Sequence, residues 1–221
     1  GGGVYVSRYS SNVLVDSNVI THSGDGVLNY PKVGLQIAAN NNIIRRNLIT
    51  YTAVNNPNAM SLNDAGMILE AYNYNGYGQN AMHNRIYNNV FYKNAHTPVY
   101  VGQKDSFLIT DNKFVNNIVY YNRLNQGPLE PWWPSGDHQF LFELYHADAN
   151  TKWAAFPNMN YFNRNIILHA DAHGDHPRDP GTWYYDGGGT SALSWSYSLA
   201  QVQQCYPRFV SENLELNPLF S

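Results

Sequence analysis

The chain has 221 residues, 13 Lys and Arg against 16 Asp and Glu for a formal net charge of −3, and 43% hydrophobic side chains. That length fits one domain with a sizeable core, and the lack of any basic run argues against nucleic acid as a partner. No apolar stretch approaches the roughly 18 residues of a membrane span, no basic-plus-apolar leader opens the sequence, and a single cysteine, Cys205, excludes an internal disulfide.

In chain order, residues 3–7 already read as a strand, although the chain opens on Gly1-Gly2-Gly3 with no Met; upstream coils or a cap are therefore expected to be missing. Residues 12–20 then form a unit of short apolar strand, polar turn, Asn and second apolar strand. The same unit returns at 42–49, 84–91, 112–119 and 159–167, with the Asn at 18, 47, 89, 117 and 165. A further strand precedes each unit: 3–7, 34–38, 66–70, 98–102 and 139–143. Polar or Pro-rich insertions occupy 50–63, 71–83, 123–138 and 170–190. Residues 198–204 carry helix formers stopped by Pro207, and 212–220 read as a last strand that covers the edge.

A fixed unit at irregular spacing is the signature of a solenoid whose coils are interrupted by loops. Three strands per coil predict an all-β fold, a right-handed parallel β-helix, with loop insertions and a short C-terminal helix and cap. The single domain is expected to span 1–221, with coils over 1–169 and the loop, helix and cap over 170–221. The recurring Asn suits a sharp bend, because it tolerates the left-handed backbone and its amide can bond the coils above and below.

The stacked Asn turns over most of residues 3–169 and the ending Asn217-Pro218-Leu219-Phe220 resemble right-handed parallel β-helix proteins of the pectate-lyase-like superfamily. That superfamily includes polysaccharide lyases, glycoside hydrolases, epimerases, phage tailspikes and adhesins, so the resemblance implies a fold and not one reaction. It implies a bacterial protein that is secreted, periplasmic or at the cell surface. Lyases of this fold use a Lys or Arg base, often with calcium holding the uronate; Lys104 or Arg8 would fill that role here.

Register yields a sharper expectation. If Val6, Ile37, Leu69, Val101 and Phe142 point inward, the next residues, Ser7, Ala38, Glu70, Gly102 and Glu143, form one outward column. Glu70 and Glu143 would lie two rungs apart, about 9.6 Å, close to the carboxyl separation of about 6.5–9.5 Å in inverting glycosidases. Gly102 would leave room for a sugar ring between them. His146, three residues past Glu143, would lie at the rim, where it could orient a sugar or assist proton transfer. Tyr72, Tyr100 and Tyr145, with Trp132 and Trp133 in their proline-flanked loop, supply rings that suit stacking on sugar faces. Asp171, His173, Asp175 and His176 are weak candidates for a metal, calcium included, since their spacing matches no strong motif.

Three functions follow as expectations. The first is a glycoside hydrolase acting on a polysaccharide or oligosaccharide through Glu70 and Glu143. The second is a polysaccharide lyase acting on uronate polymers by β-elimination. The third is a non-catalytic glycan-binding or surface fibre module.

Overall fold

The computed structural model describes residues 3–25, 33–55, 65–71, 73–74, 77–95, 98–103, 107–120, 140–144, 160–168, 183–186, 194–197, 199–205 and 207–214. Short strands of two to five residues alternate with tight bends, and apart from Ser194–Tyr197 and the Asn73–Tyr74/Tyr77–Gly78 pair each pairs in parallel with its counterpart one coil away. The result is a right-handed parallel β-helix with three main sheets and a short parallel pair, Ala81–Met82 with Ile109–Thr110. The first sheet runs Val4–Val6, Leu35–Ile37, Met67–Ala71, Val99–Gln103, Phe140–Leu144, Trp183–Asp186, and closes on antiparallel Ser194–Tyr197. The second runs Leu14–Asp16, Ile43–Arg45, Arg85–Tyr87, Asn112–Val115, Asn160–Asn163 and Val210–Ser211. The third runs Val19–Thr21, Leu48–Thr50, Val90–Tyr92, Ile118–Tyr120 and Ile166–Leu168, and Leu214 bridges to Ile166. Stacking thus continues past residue 169, through Trp183–Asp186 to Leu214.

Side-chain alternation sends one column of each sheet into the core. Val15, Ile44, Ile86, Phe114, Phe162 and Val210 line up on the second sheet, and Ile20, Ile49, Phe91, Val119 and Ile167 on the third, all buried. Phe114 and Phe162 stack with ring centroids 4.7 Å apart. Burying each such side chain contributes about 1.5–3 kcal/mol. Where the chain enters the first sheet, the coils approach so closely that a side chain is excluded. A Cβ on Gly34 would lie 2.6 Å from the Gly66 carbonyl oxygen of the next coil.

The bend between the second and third sheets holds the expected ladder. Asn18 Nδ2 donates to Asn47 Oδ1 (3.0 Å), Asn47 to Asn89 (2.9 Å), Asn89 to Asn117 (3.0 Å), Asn117 to Asn165 (3.0 Å) and Asn165 to Asn213 (2.8 Å). Each Oδ1 also accepts from the backbone N–H of the preceding rung's Asn, and the second proton of each interior Nδ2 goes to a strand carbonyl, as from Asn89 to Ile44 O. The rungs from Asn47 to Asn213 are buried. Helix α1 (Leu199–Cys205) ends the ladder, because Gln203 Oε1 accepts from the Asn213 N–H at 2.9 Å. This matches the helix expected at 198–204 to within a residue at each end.

One detail differs from expectation. The left-handed backbone belongs to the residue before each ladder Asn, namely Ser17, Arg46, Asn88, Asn116, Arg164 and Glu212, with φ between 54 and 59°. The Asn is therefore selected for its amide and not for its φ. A second ladder, absent from the sequence reading, runs along the bend entering the second sheet. There Asn42 donates to Asn84, Asn84 to Asn112 and Asn112 to Asn160, each at 2.9 Å.

Candidate functional site

The outward column of the first sheet follows the expected register. Val6 pairs with Ile37, Ile37 with Leu69, Leu69 with Val101 and Val101 with Phe142. Val6, Ile37, Leu69 and Val101 are buried. Glu70 therefore pairs with Gly102, and Gly102 with Glu143. Register carries the column one rung further than the sequence reading did, since Glu143 pairs with Asp186. Three carboxylate positions thus share one column, with Gly102 between the first two. Asp186 escaped notice because it follows a long insertion and precedes a Gly run; the signal was the short strand Trp-Tyr-Tyr-Asp itself.

Gly102 does not leave an open floor for a sugar ring. A Cβ there would meet the Tyr100 ring at 2.7 Å and its hydroxyl oxygen at 2.8 Å, so the Tyr100 ring leans over the glycine. The missing side chain makes room for a phenol. Tyr100 is only 4% exposed and packs with Val33, Ala65 and Ile68 in an apolar cluster on the outer side of the sheet. Its ring is consequently not a free stacking platform, contrary to the role expected from sequence. Its hydroxyl instead lies at the middle rung of the column, between the register positions of Glu70 and Glu143.

At the Glu70 end the column opens on a crevice lined by Tyr5, Arg8, Ala38, Glu70 and Gln79. Glu70 is half-buried, and Gln36 Nε2 donates to its Oε1 at 2.5 Å. Burial, and after it the Glu70 carboxylate, push the Tyr5 phenol above its ordinary value, so Tyr5 is a neutral hydroxyl beside Glu70. Gln79 comes from the 71–83 insertion, which includes the antiparallel pair Asn73–Tyr74 and Tyr77–Gly78. That loop thereby supplies one wall of the crevice. Gln36 and Tyr5 went unnoticed in the sequence because each is polar on an outward strand position, a pattern common to every strand of a solenoid, and Gln79 because it is one of many polar residues in its insertion.

Glu143 is placed by backbone register alone. Lys104, His146, Tyr72, Tyr145, Trp132, Trp133, Asp171, His173, Asp175 and His176, with the 123–138 loop, lie outside the described residues. Among the described residues no group of three or more His, Cys, Asp or Glu is placed to hold a metal, and no helix is long and apolar enough to cross a membrane.

No protein-family profile, curated protein or solved structure matches the chain. The functional reading therefore rests on the fold and on this column.

Proposed function

We propose that this protein is a carbohydrate-active enzyme that hydrolyses glycosidic bonds of a polysaccharide, with Glu70 and Glu143 as its acid–base pair. The proposal includes membership of the pectate-lyase-like superfamily and a secreted, periplasmic or cell-surface location in a bacterium. The observation that carries it is the shared register of Glu70, Gly102 and Glu143 on the outward face of the first sheet. One carboxyl group protonates the leaving glycosidic oxygen while the other activates water on the opposite face of the sugar. Two rungs separate them by about 9.6 Å, beyond the retaining range of about 5–5.5 Å, so the reaction inverts the anomeric centre. Tyr5 and Gln79 line the Glu70 end of the column, where they can meet the sugar.

Arg8 supports a second reading. It lines the same crevice as Glu70 and the neutral Tyr5. An Arg base beside a phenol acid suits β-elimination on a uronate polymer. Product analysis separates the two readings. Incubation with a panel of plant and algal polysaccharides is expected to release saturated reducing ends with inverted anomeric configuration. Products with a C4–C5 double bond, seen by ultraviolet absorbance, would overturn hydrolysis in favour of the lyase. Glycan binding with no product of either kind would leave a non-catalytic module.

A further inference from the structure

A second polar concavity lies on a different face, at the bend entering the second sheet. It measures about 250 Å³ and is bordered by Asn41, Ile43, His83, Arg85, Asp111 and Lys113, with the Asn42 rung of the second Asn ladder at its base. Two columns frame it. Asn41, His83 and Asp111 are the left-handed residues of three successive bends, with φ of 59, 59 and 52°. Ile43 and Arg85 begin the strands that follow, Lys113 is the second residue of the next, and the three pair in register.

The charge arrangement is costly unless something compensates it. Arg85 and Lys113 are directly opposite on adjacent parallel strands, where like charges destabilise the pair. The one carboxylate bordering the concavity among the described residues, Asp111, is engaged by His83 Nδ1 at 2.7 Å. Elsewhere the chain pairs its arginines on the same outer surface: Arg45 and Arg46 share Asp16, and Arg164 meets Glu212. Arg85 and Lys113 have no carboxylate partner among the described residues, and Lys113 only approaches the Tyr161 ring, 5.6 Å from its centroid. In a chain with only 13 Lys and Arg, two adjacent cations that face one concavity without an ion-pair partner among the described residues, beside a single carboxylate, mark a place for an anion. A carboxylate accepts only, so the bond to Asp111 makes His83 Nδ1 the donor and leaves Nε2 to a hydroxyl. The Asn41 amide adds a donor and an acceptor at the opposite side.

We propose that this concavity binds one acidic sugar unit, its carboxylate or sulfate on Arg85 and Lys113 and its hydroxyls on His83 and Asn41. The sugar identity rests on the carbohydrate reading above; the anion preference rests on this site alone. The site acts away from the Glu70 column, as an anchor for an acidic polysaccharide.

The test is titration of the Glu70→Gln protein, followed by calorimetry and by backbone amide shifts, with trigalacturonate, a sulfated disaccharide, neutral cellotriose and sodium sulfate. The expected result is binding of the acidic sugars, shifts at His83, Arg85 and Lys113, and at least a tenfold loss of affinity in Arg85→Ala/Lys113→Ala. Both replaced residues are exposed, and the double variant is expected to melt no lower than its parent because a repulsion is removed. Which acidic sugar binds tighter assigns the anion as carboxylate or sulfate. Affinity unchanged in the double variant, equal affinity for cellotriose, or sulfate alone binding as tightly as the sugars would overturn the proposal. No binding of either acidic sugar would also overturn it. Loss of this site leaves the hydrolytic reading standing, because hydrolysis is measured on the wild-type protein through Glu70 and Glu143.

Discussion

Replacing Asn89 with Ala tests whether the amide ladder holds the coils together. Asn89 Oδ1 accepts from the Asn47 backbone N–H at 3.1 Å and from Asn47 Nδ2 at 2.9 Å, while its own Nδ2 donates to Ile44 O and Asn117 Oδ1, both at 3.0 Å. Truncation leaves two donors of Asn47 without partners, and Asn47 is 1% exposed, so water cannot replace them. Asn117 Oδ1 keeps the Asn89 backbone N–H at 3.0 Å and is not orphaned. Each buried orphan costs about 1–3 kcal/mol, so the variant should lose about 4 kcal/mol, a large part of a typical total of about 5–15 kcal/mol. Asn18→Ala is the control. Asn18 is exposed, and Asn47 Oδ1 still accepts the residue-18 backbone N–H at 3.0 Å. Its loss should cost about 0.5–1.5 kcal/mol. Urea unfolding followed by far-ultraviolet circular dichroism measures both. If the two variants lose the same stability, or Asn89→Ala loses under about 1 kcal/mol, the orphaned-donor reasoning is wrong.

Gly102→Ala should destabilise the protein by about 1–3 kcal/mol through overpacking against Tyr100; in a Tyr100→Ala background it should cost almost nothing, and additive losses in that double-mutant cycle would contradict the contact. Gly34→Ala should cost at least as much, because its Cβ would meet the backbone carbonyl of Gly66, which cannot rotate away; a variant with wild-type stability would contradict that close approach. Hydrogen bonds from Arg46, and after it from Arg45, hold the Asp16 carboxyl well below the usual carboxylate range. A carboxylate depressed in the folded state stabilises above its unfolded value of about 4 and loses that contribution as pH falls. Melting curves should therefore show a smaller acid-side decline for Asp16→Asn than for wild type, and the difference should shrink in high salt because the cluster is at the surface. An identical pH dependence in the two proteins would refute this.

The first-sheet register was legible because a period of two leaves only one assignment that buries Val6, Ile37, Leu69 and Val101 together. Asn18, Asn47, Asn89, Asn117 and Asn165 were legible because their local context recurs. Asn42, Asn84 and Asn112 open the same units, Asn160 stands second in its own, and together they form a ladder, but at the start of each unit they read as strand starts. The left-handed residues were hidden because Ser17, Arg46 and Glu212 carry no preference for that backbone, which the flanking ladders impose. The lean of Tyr100 over Gly102 was out of reach, since alternation fixes which face a ring leaves by and not the rotamer it takes there. Asp186 was separated from its column by an insertion whose length no repeat constrains.

Two carboxylates in one column carry the proposed hydrolysis, and the most direct measurement is turnover after each is made neutral at constant shape. Once a polysaccharide substrate of the wild-type protein is in hand, Glu70→Gln and Glu143→Gln should each lower kcat at least 100-fold, in line with loss of a general acid or base, while both variants melt like the wild type. Near-full turnover by the two single variants, with the wild type active, would contradict the claim and make these carboxylates bystanders.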